Sequence, residues 1–453
     1  MPNLTQLRIA AREIFEEALR GVDAEEAVRR AVQLEGSRLN FCGAATVEIG
    51  KSRNIYSIAI GKAAPAMASA LDAIIGNRIA AGVLAGNTSG YRPAAGGERI
   101  SLPSRWQMFR GGHPEPNEQS LAAAKACFEL LERANAERAL VIFLISGGGS
   151  AMLEWPIDEG ITLADLRTAN KTLVNCGASI TEINAVRRAF SAVKGGHLAE
   201  RAQNCDQITL IVSDVPPGEE RNVASGPTLA PPGNAPDAGN VIERYSLRSQ
   251  LPEAILRAIE AESTTSEDEP TSLRKHFVLL DNESALEAAA EAARRRGFIT
   301  EIVNDVSDQP IEEGCAQLLS RLEVLHAKVS TQDTACLISG GEFACPLQGD
   351  GLGGRNLETA LRLAHARNLM SPGPENFAAL CAGTDGLDGN SPAAGAIVDN
   401  TTIDRAQAIG LDAADFIACS DAYSFFIALG DVIATGATGT NVRDIRILLT
   451  TWL

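Results

Sequence analysis

The run Leu140-Val141-Ile142-Phe143-Leu144 leads directly into Ile145-Ser146-Gly147-Gly148-Gly149-Ser150-Ala151. An unbroken apolar run of this length, closed by small residues, reads as a strand buried on both faces, the pattern of a parallel sheet. At the carboxyl end of such a strand the backbone N–H groups are open. Glycines let a phosphate approach them closely, and the N-terminus of the following helix adds positive potential. Two further turns follow apolar runs, Leu337-Ile338-Ser339-Gly340-Gly341-Glu342 and Cys381-Ala382-Gly383-Thr384-Asp385-Gly386. The last carries an acid that a phosphate-bound metal could use. The chain therefore reads as one that holds a phosphorylated ligand at strand ends, with purely structural turns as the alternative.

Working outward, the same scheme recurs. Ile55–Ile60 is a strand ending in Gly61-Lys62, and a helix follows from Pro65 to Ile75. Ala81–Ala85 and Trp106–Phe109 are strands, the second ending in Arg110-Gly111-Gly112-His113-Pro114. A helix over Glu118–Ala134 leads to the strand at 140–145, a helical region covers 163–200, and Gln207–Val212 is a strand ending in Ser213-Asp214. Strands alternating with helices, without hairpin signals, predict an α/β fold with a doubly wound parallel sheet. The Pro- and Gly-rich stretch Pro227–Asn240 reads as a linker, so the domains are expected at 1–235 and 236–453. Beyond it lie an acidic low-order stretch, Glu262–Pro270, and then strands at 277–280, 299–303, 335–338, 378–382 and 396–398. The segment Ile445–Leu449 is expected to pack back on the first domain. Residues 3–35 read as two amphipathic helices.

Composition bounds the partners. A 453-residue chain with 45% apolar and 21% charged residues is an ordinary globular protein of more than one domain. A net charge of −17 argues against nucleic acid or an anionic membrane as the main partner. Nine scattered cysteines without C-x-x-C spacing read as buried thiols of a reducing compartment, not a zinc site. The N-terminus has no signal-peptide pattern and no apolar run is long enough to span a bilayer, so a cytoplasmic location is expected.

Several side chains are candidates for the chemistry. The Ser146–Ser150 turn is not a Walker loop, because no Gly-Lys-Ser/Thr follows. Lys62 at a strand end can hold a phosphate as a point charge. Arg187, Ser191 and Lys194 are spaced i, i+4, i+7 and predict a polar stripe on one helical face, broken at Gly195-Gly196. Asp214 follows its strand directly, a common ligand or metal position. Asp385 and Asp388 can hold Mg²⁺, take a hydroxyl proton, or close an Asx-turn. Arg355, in Gly353-Gly354-Arg355-Asn356, precedes a helix and suits bidentate capture of an anion. His113 is either a packed loop residue or a base.

Taken in order, Ala59–Ala63, Gly111–Pro114, Ser146–Ala151, Asn184–Gly196, Ser225–Thr228, Ser339–Glu342, Gly353–Asn356 and Thr384–Gly389 resemble the glycerate 2-kinase family with a MOFRL C-terminal domain. The resemblance runs from about residue 10 to 445. It implies two α/β domains, the first Rossmann-like, with the active site in the cleft between them. It also implies ATP, Mg²⁺ and D-glycerate as ligands, 2-phosphoglycerate as product, and a homodimer. On the matched motifs, Lys62 and Arg355 correspond to the family's principal basic residues, and Lys194, Asp214 and Asp385 to other cleft residues. Asp214 and Asp385 are then the expected metal ligands, Ser146, Gly147, Gly148, Gly149 and Ser150 the nucleotide turn, and Arg187, Ser191, Asp385 and His113 the substrate contacts. Three positions depart from the family pattern and touch substrate specificity: Pro217-Gly218-Glu219 where Gly-Asp is usual, Ser420-Asp421-Ala422 for Asn-Asp-Ser, and Ala437 for Pro. Rival readings are a kinase for another short hydroxy acid, a sensor without catalysis, and an NAD(P)H-dependent hydroxypyruvate reductase. The last predicts a G-x-G-x-x-G fingerprint after an early strand, which Gly61-Lys62-Ala63-Ala64-Pro65 lacks.

Overall fold

A computed structural model describes residues 2–50, 52–86, 102–261, 272–369 and 375–452. Two compact units emerge. One holds the described residues between Ala24 and Leu279, the other Met1–Asp23 with Leu280–Leu453. The acidic stretch 262–270 lies outside the described residues.

The unit between Ala24 and Leu279 carries a six-stranded sheet in the order Trp106–Phe109, Ile79–Ala85, Ile55–Ile60, Leu140–Ser146, Asp206–Val212, Arg274–Leu280. The pairings among the first five strands are all parallel. Every residue of Ile55–Ile60 and Leu140–Ser146 is buried, as the unbroken apolar runs require. Each such Ile, Leu or Phe stabilises the fold by roughly 1.5–3 kcal/mol. Register places Ile60 beside both Ala85 and Ile145, so the turns that follow these strands leave the sheet at one edge. The Glu118–Glu137 helix starts at an Asn117 capping box. Its Ala124, Cys127 and Leu131 share a core with Tyr56, Ile58, Val141 and Phe143.

Four sequence expectations change here. First, the boundary at 235/236 moves to about 279. Val241, Ile242, Leu247 and Ile255 share one core with Leu166, Leu173 and Val186, and Arg274–Leu280 is a strand of the first sheet. The Pro- and Gly-rich stretch is thus a surface loop inside one unit. Second, the helical region at 163–200 is broken into Leu163–Asn175, Ile180–Ala189 and His197–Glu200. Arg187, Ser191 and Lys194 therefore do not share a helical face. Third, residues 32–48 form an antiparallel meander, Val32–Glu35, Arg38–Phe41 and Ala45–Glu48. Gly36-Ser37 and Cys42-Gly43-Ala44 are its hairpin signals, with Gly36 and Gly43 at positive φ. Fourth, the C-terminal segment lies at the centre of the second unit's own sheet.

That second sheet runs Ile299–Val303, Thr334–Gly340, Asp444–Trp452, Glu375–Gly383, Gly395–Asp399, Val432–Ile433. Only the first pairing is parallel; the others are antiparallel. The Asp444–Trp452 strand is buried along eight of its nine residues, which explains its apolar core Ile445, Ile447, Leu448 and Leu449. The N-terminal helix Leu4–Gly21 belongs to this unit. Its Gly21 lies so close to Ala288 that an added Cβ would stand 2.5 Å from the alanine's own. Arg8 pairs with buried Asp399 (2.8 Å) and with Asp431.

Candidate functional site

In a doubly wound sheet, ligands bind outside the carboxyl ends where the strand order reverses. Here that point falls between Ile55–Ile60 and Leu140–Ser146. The two turns are laced together. Lys62 N–H donates to Gly147 O (2.9 Å), Ala63 N–H to Ser146 Oγ (3.0 Å), and Ser146 Oγ to Ile60 O (3.1 Å). Gly61, at φ +110°, has Ser146 O 2.3 Å from where a Cβ would sit, so no other residue fits.

Glycine opens the next positions to three side chains. A Cβ on Gly147 would lie 1.9 Å from Asp214 Oδ2. On Gly148, at φ +78°, it would lie 3.2 Å from Lys62 Cγ and 3.5 Å from His113 Nδ1. Lys62, His113 and Asp214 thus come from three different strand ends to one bare stretch of backbone, and all three retain solvent exposure. A cation, an imidazole and a carboxylate gathered on a glycine backbone are the groups of a cradle for an anion with an acid beside it. Two parts of the expectation change. Ser146 is fully buried and its hydroxyl ties the two turns, so it frames the cradle without contacting ligand. The helix after the turn, Gly149–Met152, is a single turn and contributes little dipole.

Ser191 and Lys194 instead meet at Glu154. Ser191 Oγ donates to Glu154 Oε1 (2.6 Å) and Lys194 Nζ pairs with Glu154 Oε2, all three side chains fully buried. Trp155 N–H adds a third donor at 3.0 Å. Burial pulls the Lys194 ammonium down from its ordinary range, against the attraction of Glu154. Lys194 and Ser191 are therefore internal, which corrects their expected roles at substrate. Arg187 turns its Nε to Asn170 Oδ1 (3.0 Å). Gly195 and Gly196 admit a backbone, not a ligand: their N–H groups donate to Ser225 O (3.1 Å) and Gly226 O (2.8 Å).

In the other unit, Arg355 opens the helix Arg355–Leu369. Its Nε donates to Asp444 Oδ2 (2.7 Å) and its Nη2 pairs with Glu342 Oε1 (2.7 Å). Burial pulls the guanidinium's pKa down, but the Asp444 and Glu342 carboxylates outweigh it and hold the group above its usual value. Glu342 is itself presented by a supported turn. Fully buried Arg446 donates to Gly340 O (2.6 Å) and Gly341 O (3.0 Å) and lies 3.6 Å over the Phe343 ring.

Asp388 closes the start of the same helix, accepting Asn356 N–H (3.1 Å) and Leu357 N–H (2.8 Å). Burial lifts its carboxyl to about 7; Asp444 adds to the rise, and the two N–H bonds and Arg355 oppose it. Asp388 is thus a cap and not a metal ligand. Asp385 Oδ1 accepts Leu387 N–H (3.1 Å), an Asx-turn, and its carbonyl accepts Thr438 N–H (3.2 Å). Ser420 adopts φ +52°, where Asn is better tolerated, and its Oγ accepts Gln348 N–H (3.0 Å). The departure at 420 therefore concerns loop framing.

Glu154, Glu342 and Asp444 were not singled out from the sequence as site residues. Glu342 stood inside a Gly-Gly turn and could have been found there. Glu154 and Asp444 have no local signal. Among the described residues, no group of three His, Cys, Asp or Glu is arranged to hold a metal ion.

Comparisons bear on the whole chain. Residues 10–260 match a family described as a domain of unknown function (DUF4147), and residues 335–444 match the MOFRL family. A glycerate kinase from Rattus norvegicus is 32% identical, over 97% of this chain and 92% of its own. A D-glycerate 2-kinase from Thermotoga maritima is 34% identical, over 87% and 90%. A relative from Agrobacterium vitis with a provisional hydroxypyruvate reductase name is 35% identical over 86% of each chain. The crystal structure of a glycerate kinase from Thermotoga maritima superposes with a TM-score of 0.77 at 29% identity, covering 99% of both chains.

Proposed function

The chain belongs to the glycerate 2-kinase family with a MOFRL C-terminal domain, and on that premise we infer that it transfers the γ-phosphoryl group of ATP to the 2-hydroxyl of D-glycerate. The observation that carries the reading is the Gly147–Gly148 cradle, with Lys62, His113 and Asp214 around it at the switch point of a parallel sheet. Phosphoryl transfer asks for positioning and charge neutralisation more than for covalent chemistry. The Gly147–Gly148 backbone and Lys62 hold phosphate oxygens. Arg355, braced through Nε and Nη2, offers its remaining nitrogen, Nη1, to an anionic group of the substrates. Asp214 holds Mg²⁺ or orients the attacking hydroxyl, and His113 is placed to hold or accept a proton at its imidazole. Mg²⁺, when bound, supplies charge neutralisation on the phosphates. The proposal includes a homodimer, inherited from the resemblance, and a cytoplasmic location, as the sequence reading expected; no helix among the described residues is long and apolar enough to cross a membrane.

The reductase reading has a physical obstacle. A dinucleotide pyrophosphate sits on the amides after the first strand. Here the amides of Lys62 and Ala63 already donate to Gly147 O and Ser146 Oγ. The deciding experiment is incubation with ATP, Mg²⁺ and a panel of short hydroxy acids, with phosphorus NMR of the product. We expect 2-phosphoglycerate from D-glycerate. NADH oxidation by hydroxypyruvate, with no phosphorylated product from any acid, would overturn the reading.

A further inference from the structure

A chain of side-chain hydrogen bonds runs from the surface to the glycine turn, and its direction can be worked out. Asn222 Nδ2 donates to Glu219 Oε2 (3.1 Å) and Thr181 Oγ1 (3.0 Å). Asn184 Nδ2 donates to Asn222 Oδ1 (3.2 Å) and reaches the Asn222 carbonyl at 3.5 Å. Ser225 Oγ donates to Asn184 Oδ1 (2.8 Å), and Ser225 Oγ stands 2.9 Å from Ser150 Oγ. Asn184 and Ser225 are buried, at 1% and 3% exposure, so neither can exchange a partner for water.

The polarity follows from donor and acceptor inventories. An ionised carboxylate only accepts, so Glu219 turns the Asn222 amide with nitrogen toward itself and oxygen toward Asn184. The backbone carbonyl of Asn222 also only accepts, so the Asn184 nitrogen faces Asn222 and its oxygen faces Ser225. The single Ser225 proton then goes to Asn184, since the buried Asn184 oxygen would otherwise be left unsatisfied at a cost. The bond between the two serines must therefore be made with the Ser150 proton. Ser150, two residues beyond Gly148 and partly exposed, keeps only lone pairs to offer outward. Such an oxygen repels phosphate oxygens and accepts an O–H.

We propose that Glu219 is a positioning residue which, through Asn222, Asn184 and Ser225, holds the Ser150 hydroxyl as a hydrogen-bond acceptor for the hydroxyl of the acid substrate. Glu219 stands at one of the departures from the family pattern, and this gives it a role. The proposal rests on the kinase reading and moves Ser150 from the nucleotide to the phosphoryl acceptor.

The test is steady-state kinetics of wild type, Ser150→Ala, Glu219→Ala and Glu219→Gln, varying D-glycerate and ATP separately. Ser150→Ala and Glu219→Ala should each raise KM for glycerate roughly 3- to 10-fold, the worth of one hydrogen bond, with KM for ATP changed less than about twofold. Glu219→Gln should restore the glycerate KM, because its Oε1 still accepts from Asn222. A glycerate KM unmoved in Glu219→Ala, an effect on ATP in place of glycerate, or a Gln variant as impaired as the Ala variant would each overturn the proposal while leaving the kinase reading intact. Failure of the wild type to phosphorylate any hydroxy acid would overturn both.

Discussion

Lys194→Met should destabilise the unit between Ala24 and Leu279 severely, and the structure sets the size. Lys194 and Glu154 have no exposed side-chain surface, and Lys194 is the cation paired with Glu154. Removing it leaves a carboxylate with two donors, Ser191 Oγ and Trp155 N–H, and no paired cation, only the attraction of the unbonded Arg187 guanidinium. Breaking a buried pair from one side costs about 3–5 kcal/mol. Against a total stability of about 5–15 kcal/mol that is a large fraction. With a urea slope of about 3 kcal/mol per molar, the midpoint should fall by roughly 1–2 M. Trp155 adjoins Glu154, so urea unfolding followed by tryptophan fluorescence reads the site directly. The double variant Glu154→Gln/Lys194→Met buries no charge, and the Gln can still accept from Ser191. It should recover about 2 kcal/mol or more relative to Lys194→Met. A single-variant cost below about 1 kcal/mol, or a double variant as unstable as the sum of the two singles, would refute the argument that charge pairing sets the cost.

Lys62→Ala and Arg355→Ala should each lower kcat/KM by roughly 10²–10⁴ with folding intact by circular dichroism, since each removes a cation facing anionic substrate. Near wild-type turnover in either would discard its assignment. Gly147→Ala places a methyl where Asp214 Oδ2 stands; the carboxylate must swing away, and turnover should drop about tenfold or more, measured beside an unfolding curve that moves little. Asp388 gives a pH prediction. Its carboxyl rises from 3.8 to about 7 on folding, so the folded chain favours the protonated form. Its stabilising contribution is full below about pH 4 and is lost as pH rises through 7, at up to about 1.4 kcal/mol per pH unit. Asp388→Asn should flatten the fall in urea midpoint between pH 5 and 8; an unchanged slope would contradict the burial argument.

The strands and the glycine turns were legible because they rest on local physics. Six consecutive buried positions in Ile55–Ile60 need six residues that tolerate burial, and Gly61 and Gly147 are demanded by neighbours that leave no room for a Cβ. Lys62 and Asp214 were read as candidates because ligand positions in α/β sheets follow strand ends, and Arg355 because it precedes a helix. The misreadings came from spacing. Arg187, Ser191 and Lys194 suggested a helical face, but the helix stops at Ala189; Ser191 and Lys194 gather on Glu154, 37 and 40 positions away, while Arg187 turns to Asn170. The Pro- and Gly-rich stretch suggested a domain boundary, although the apolar residues after it complete a core begun some 70 positions earlier.

From the sequence by itself came the α/β class, the parallel first sheet, the family and the glycine turns, all of which follow from short-range burial pattern and conformational permission. Only the tertiary structure decided which candidate side chains turn inward and which residues brace the others. Ser146, Ser191 and Lys194 turn inward, Glu342 and Asp444 brace Arg355, and Glu219 sets the direction of a hydrogen-bond chain ending at Ser150. A side chain's role is set by the polar atoms within about 3 Å of it, and those atoms arrive from strands and loops whose separation along the chain carries no signal.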